Sequence, residues 1–298
     1  MNAVAKEQVS IEGILRGIVI PSPPQVIADL QMEMALPDAD LTVMADLIAK
    51  DAGLAGAIIK TVNSPVYAGN REITSIAQGV MVLGIKTIVD IVNTFCLRNA
   101  SASRDSMSDN IYQTLTRFWD SAADVAHVCD MVGRAAGMSP SDNTYLLGLF
   151  HNVGIALMIA KYDNYLDVIM ESYSQQDLRI VDVENAAFAT NHAVISYYTA
   201  KSWKVDPRVA RVISIHHNHD IFSTADVKDT MENRLLAVLK IAEHVVGLHR
   251  VLANQAEDHE WEKIGDQVLL LLGLTQYELE DISSQAAELG YGQQLYFS

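Results

Sequence analysis

Residues Asn110–Gly137 read NIYQTLTRFWDSAADVAHVCDMVGRAAG, and Leu115, Phe118, Ala122, Val125, Ala126, Cys129 and Val132 fall along them at helical spacing. Residues three or four apart share one face of an α-helix, whereas a half-buried strand alternates its apolar positions. The stretch is therefore expected to be one long amphipathic helix, stopped at Gly137, a residue that accepts the left-handed backbone closing a helix. Towards the N-terminus, Val80, Leu83, Ile88, Ile91, Val92 and Phe95 repeat the pattern at three- and four-residue steps. The fold class expected is all-α.

Helix punctuation supports this. Ser75-Ile76-Ala77-Gln78 and Thr275-Gln276-Tyr277-Glu278 read as capping boxes, in which a hydroxyl and a side chain three residues on satisfy each other's backbone N–H. Ser139-Pro140 and Asp206-Pro207 place a cap before a proline, which suits the first helical turn, and Asp40 precedes the periodic stretch 41–50. No two alternating runs flank an Asn-Gly or Asp-Gly turn. The polar segment Asn99–Asn110, NASASRDSMSDN, separates two long helical patterns and marks a lobe boundary. The expected division is an N-terminal extension (1–13), a first helical lobe (14–105), a second (106–250) and a C-terminal helical extension (251–298).

Composition narrows the function classes. Of 298 residues, 50% are hydrophobic and 19% charged, a balance that supports a large core rather than a disordered chain. A net charge of -16 repels nucleic-acid phosphates and anionic membrane, and the basic residues are scattered singly. The N-terminal sequence lacks a long apolar core, and uninterrupted apolar runs such as 153–160 fall short of the roughly 20 residues that span a bilayer. Cys96 and Cys129 sit in apolar helical runs without a Cys-x-x-Cys pair, as small hydrophobes do. These features lead to an expectation of a cytoplasmic protein that binds neither nucleic acid nor membrane.

His151-Asn152, Asn191-His192, His216-His217 and Glu243 stand out in the second half. Imidazole nitrogen and carboxylate oxygen on separate helices of a bundle can converge on a metal ion. Adjacent helical residues point about 100° apart, so His216 and His217 reach one centre only near a helix end. Each also has a plain structural reading. An imidazolium at 216 or 217 suits the negative end of the helix begun at Pro207, His192 helps start a helix, and His151 is a satisfied core histidine.

The order of motifs adds a resemblance. IPSPPQVIADL, then LIAKDAGLAGAIIKTVNSPVYAG, then REITSIAQGVMVLGI, followed by Phe118-Trp119, 147–154, Asn191-His192, Trp203, Pro207 and His216-His217, strongly resemble the HDOD family, HD-related output domains of bacterial signalling proteins. The resemblance spans roughly residues 14–250. It implies two packed helical lobes, the second like the bundle of HD-type metal phosphohydrolases, among them the HD-GYP cyclic-dinucleotide phosphodiesterases. Followed position by position, it puts the first histidine of that ligand set at Ser121 and the His-Asp pair at His151-Asn152. The later histidines match His192, His216 and His217, and the terminal acid matches Glu243.

Two of these positions are chemically weakened. Asn152 is a neutral amide where a bridging carboxylate is expected, and the Ser121 hydroxyl stays protonated and ligates poorly. The resemblance therefore implies a degenerate site with no catalytic residue and no cofactor, in a signal-transduction module that binds signalling proteins or a nucleotide or small anion. The alternative is a metal-dependent HD-type phosphohydrolase or cyclic-dinucleotide phosphodiesterase holding one divalent ion through His151, His192, His216, His217 and Glu243. Asn63, Ser64, Pro65 and Tyr67, from NSPVY, are expected to be structural. Asn63 would end its helix in a left-handed cap before proline, and Tyr67 would pack the turn.

Overall fold

A computed structural model describes residues 13–64, 66–67, 73–101, 108–139, 142–174, 179–222, 227–247 and 258–292. Among them are fourteen α-helices, one short 3-10 helix and no strand, so the chain is all-helical. Pro65, Pro140 and half of the polar stretch 99–110 lie outside the described residues.

The chain forms two compact units, residues 21–103 and residues 1–20 with 104–298. The residues described between 13 and 20 and the helices after 258 fall in the second unit. In the first unit, α1 (Gln25–Met34), α2 (Leu41–Ala49) and α3 (Ala52–Val62) pack on α4 (Ile76–Ser101). The Asp40 carboxylate accepts from the Thr42 N–H and starts α2, and Asp51 does the same for α3 through Leu54.

Gly84 breaks α4 with φ 74 and ψ 165, a backbone essentially confined to glycine. The buried residues Val80 and Leu83 precede the break, and Ile88, Val92 and Cys96 follow it at four-residue steps. The step across Gly84 is five residues, so the uninterrupted three-and-four pattern read from the sequence does not hold there.

Asn63 is also not left-handed: it caps α3 at φ -92 and ψ 5. Its amide instead works through the side chain. Nδ2 donates to the Ile59 carbonyl at 3.0 Å and the Ile73 carbonyl at 2.7 Å, and Oδ1 accepts from the Ile73 N–H at 2.9 Å. Tyr67 N–H donates to the Ser64 carbonyl, tightening the same turn.

In the second unit the helix quoted at the outset runs Asp109–Ala135 (α5), and all seven of its apolar positions are buried. Gly137 closes it at φ 69. α5 packs against α6 (Thr144–Phe150) and α12 (Met231–Val246). α6 begins at Thr144 with Asn143 as its left-handed cap, later than Ser139-Pro140 indicated. α7 (Val153–Lys161), α8 (Tyr165–Ser174), α9 (Ile180–Phe188), α10 (His192–Ser202) and α11 (Pro207–Ile215) follow. α13 (His259–Leu272) and α14 (Gln276–Glu288) complete the unit, α14 opening with the Thr275–Glu278 capping box.

Two stretches, 76–100 and 144–161, are long and apolar enough to cross a membrane by length and composition alone. The uninterrupted runs considered in the sequence understate them. The second is 83% buried inside the protein, as a core segment is, and the turn at His151-Asn152 interrupts it. The first is bent at Gly84 and carries the Lys86–Asp90 ion pair.

Candidate functional site

Helix ends bring the histidines together in the second unit. Asn191 caps α10 by accepting from Val194 N–H, which leaves His192 as the first helical residue. Asp206 caps α11, Pro207 opens it, and His216 is its C-cap with His217 in the turn beyond. The helix end lets two consecutive histidines face one centre, which a continuing helix would prevent. His151 and Asn152 occupy the turn between α6 and α7. Gly154 lets α7 approach α10 closely: a Cβ there would lie 2.1 Å from the His192 carbonyl oxygen. Its N–H donates to Ser196 Oγ at 2.8 Å.

The partners fix the tautomers. A peptide carbonyl only accepts, so His216 Nδ1–H donates to Ile213 (2.7 Å) and His151 Nδ1–H donates to Gly148 (2.6 Å). Glu184 Oε2 accepts from His192 Nδ1–H at 2.7 Å and from its backbone N–H at 3.1 Å. All three imidazoles therefore turn Nε2 away from their anchors. His192 Nε2 lies 3.4 Å from His216 Nε2 and 2.9 Å from His217 Nε2, and Asn152 Oδ1 lies 3.2 Å from His216 Nε2.

Burial is the main force on their charge. It pushes the His151 pKa down to about 3, with the Gly148 hydrogen bond opposing and Lys240 adding to the effect. His216 and His217 are pushed well below the ordinary histidine value, first by burial and then by neighbouring histidines and Lys240. The imidazolium reading of 216 and 217 at the helix end is thus corrected: both are neutral at pH 7.

The other half of the implied site is arranged differently. His151 Nε2 is 3.5 Å from Glu243 Oε1, and its ring centre is 5.5 Å from that of His216. Glu243 pairs with Lys240 Nζ at 2.8 Å, and the same ammonium meets Glu260 at 2.7 Å. Burial raises the Glu243 pKa, while Lys240 draws it back. Burial also opposes the Lys240 charge, but the two carboxylates outweigh it and hold that pKa above the usual lysine value. The Ser121 hydroxyl is buried with no hydrogen-bond partner among the described residues.

His192, His216 and His217 thus form one group whose ligand atoms lie within 4.8 Å of one another, and His151 and Glu243 stand outside it. Tetrahedral metal–nitrogen bonds of roughly 2.0–2.1 Å separate neighbouring donors by roughly 3.3 Å. The three histidines could hold one such ion, and Asn152 Oδ1, 3.2 Å from His216 Nε2, lies beside them. The His151 and Glu243 side does not fit a second, because the carboxylate faces a lysine. Sequence reasoning did not single out Glu184, Lys240 or Glu260. Lys240 and Glu243, three apart on a helix, look in sequence like an ordinary surface pair.

Fold and site together define an all-helical protein with a histidine cluster at helix ends in its second unit. The HDOD domain pattern matches residues 20–219, and the chain belongs to the HDOD family. It is 22% identical over 200 residues to an uncharacterized protein of Treponema pallidum (strain Nichols), covering 67% of this chain and 38% of that one. An HDOD domain protein of unknown function from Geobacter sulfurreducens has a crystal structure similar at TM-score 0.65 and 18% identity, covering 96% of this chain and 99% of that one. A protein of Shewanella amazonensis SB2B, named provisionally as a phosphohydrolase, is similar at TM-score 0.66 and 20% identity over 95% and 97% of the two chains. One of Marinobacter aquaeolei VT8, named provisionally as a signal transduction protein, gives TM-score 0.58 and 17% identity over 99% and 67%. Likeness at these identities carries the fold.

Proposed function

We propose that the chain is a non-catalytic output module of a bacterial signalling pathway, acting by binding other signalling proteins or a small ligand, with a reduced HD-type centre. The observation that carries this reading is the buried Lys240 ammonium against Glu243. A cation is already built into the place where an HD-type hydrolase presents its terminal acid to metal. Asn152 and Ser121 remove an anionic ligand and an imidazole from the same set. Activating water at a metal needs the right ligand count and an open position, and half of the ligand set is spent otherwise. The remaining histidines support one divalent ion in a structural or ligand-sensing role.

The test is elemental analysis of protein purified without chelator, alongside turnover of cyclic dinucleotides and bis(4-nitrophenyl) phosphate. The expected result is at most one transition-metal ion per chain and no turnover. Saturable capture of a signalling protein from the native cell, lost in surface variants, supports the module directly. The convergent Nε2 atoms of His192, His216 and His217 favour the second reading, a hydrolase with an altered ligand set. Turnover that disappears in His216→Ala would establish that reading and overturn the first.

A further inference from the structure

Behind the histidines lies a carboxylate that the HD-type ligand set does not use. Glu184, on α9, is 0% exposed, as are His192 and Tyr165. Its Oε2 takes both N–H groups of His192, and its Oε1 takes the Tyr165 hydroxyl. A buried carboxylate is costly unless its lone pairs and its charge are both answered. The three hydrogen bonds answer the lone pairs. Among the described residues no lysine or arginine pairs with Glu184, and the groups set against it are the His192 ring and the Tyr165 hydroxyl.

That ring passes the demand on to its other face. With Nδ1–H committed to Glu184, the neutral ring turns its Nε2 lone pair towards His217 Nε2, 2.9 Å away, and His216 Nε2, 3.4 Å away, and His216 carries its own lone pair there because its Nδ1–H is held by Ile213. Two lone pairs facing each other in a buried space repel; His217, whose tautomer no anchor fixes among the described residues, can donate Nε2–H to one of them, and a cation among the three nitrogens would engage all three. A carboxylate behind a ligating histidine fixes its tautomer and raises the basicity of the far nitrogen.

We propose that Glu184, backed by Tyr165, is the positioning residue of this centre: it holds His192 with Nε2 presented, so that the three histidines take a borderline transition-metal ion such as Zn²⁺ rather than Mg²⁺ or Ca²⁺. Three imidazoles and a neutral amide are donors of that preference, since the hard cations select carboxylate, carbonyl and water oxygen. The ligand half of the proposal rests on the single-ion reading given above.

The experiment uses the full chain, wild type and the variants Glu184→Gln and Tyr165→Phe. The glutamine side chain keeps the shape and an acceptor oxygen, and the phenylalanine ring lacks only the hydroxyl, so melting in EDTA checks that each variant still folds. The first readout is the His192 tautomer, from long-range ¹H–¹⁵N NMR of EDTA-treated protein. Nδ1–H is expected in wild type, with a loss of that preference in Glu184→Gln. The second is Zn²⁺ affinity by competition with a chromophoric chelator. Glu184→Gln is expected to weaken it about 10–100-fold and Tyr165→Phe less, because partners behind a ligand typically carry that much. Wild-type affinity in both variants, or an Nε2–H tautomer for His192 in wild type, overturns the positioning role. A wild-type protein that takes no Zn²⁺ overturns the single-ion reading and the ligand half of this proposal, and the tautomer measurement still decides the rest.

Discussion

Lys240 and Glu243 face each other at 2.8 Å one turn apart on α12, with 3% and 15% of their side chains exposed. Removing one partner of a buried ion pair leaves the other charge without compensation and typically costs about 3–5 kcal/mol. Lys240→Met is therefore expected to lose about 3 kcal/mol in urea denaturation near neutral pH. Part of the loss should return as the pH falls and Glu243 and Glu260 take up protons. A variant as stable as wild type at neutral pH would show that the lysine does not hold these carboxylates.

Gly154 sets how closely α7 approaches α10. The Cβ of an alanine would lie 2.1 Å from the His192 carbonyl oxygen and 2.8 Å from its carbonyl carbon, both backbone atoms. No rotamer change relieves a backbone clash, so the helices must part. Overpacking of this kind costs about 1–3 kcal/mol, and here His192 moves with the backbone. Gly154→Ala should lower the melting temperature and weaken the contact of His192 with Glu184, seen as a change in the His192 NMR signals. An unchanged melt would refute the close approach.

The two predictions concern features of unequal legibility. The histidines were readable because local signals place them: Asn191 caps one helix, and Asp206-Pro207 starts the one that His216 ends. Caps and turn residues act within a few positions of the chain, which is the range a sequence displays. Glu184 and Lys240 occupy helical positions that look solvent-facing in sequence. Their burial depends on which helices pack across them, a tertiary fact that no local pattern encodes. Gly84 lies between: the glycine and the five-residue step from Leu83 to Ile88 were both in the sequence, but the backbone break that accommodates that step was not.

Acid should destabilise the second unit through its neutral histidines. The His151 pKa falls from 6.5 unfolded to about 3 folded, and His216 and His217 are also lowered. Below about pH 6.5 the unfolded chain binds these protons and the folded one does not, so stability is full above 6.5 and declines as pH falls towards 3. Each group contributes about 1.4 kcal/mol per pH unit in that window. Glu243 acts in the opposite sense, its pKa being raised from 4.5 to about 7, so it offsets one of the three. Urea midpoints at about pH 7.5, 6.5 and 5.5, in EDTA, should fall with pH, and by less in His216→Phe. A flat profile would mean that the histidines are charged or solvated in the fold.

Asn63 joins the end of α3 to the segment that leads into α4 by pairing with both backbone groups of Ile73. A hydrogen bond contributes about 0.5–1.5 kcal/mol net, and the backbone groups left behind in Asn63→Ala are part-buried. The expected loss is about 2 kcal/mol. Asn63→Asp should fall short of wild type as well, since a carboxylate accepts from Ile73 N–H but cannot donate to its carbonyl. Amide exchange at Ile73 separates the cases: fast in Asn63→Ala, protected in Asn63→Asp. Protection in both would place the anchor elsewhere.

Rebuilding the hydrolase ligand set distinguishes a site that has merely lost ligands from one that has been refilled. Ser121→His with Asn152→Asp restores the imidazole and the carboxylate that the HD-type pattern expects. If ligand loss were the whole defect, this double variant would take two ions per chain. The Lys240 ammonium remains beside Glu243, however, and its charge reaches His151 as well. A fixed cation there repels a second metal and keeps the terminal acid engaged. The double variant is therefore expected to bind one ion, and adding Lys240→Ala is expected to raise the number to two, by elemental analysis with folding checked by circular dichroism. Two ions in the double variant alone would show that Lys240 is no obstacle and that Ser121 and Asn152 account for the loss by themselves.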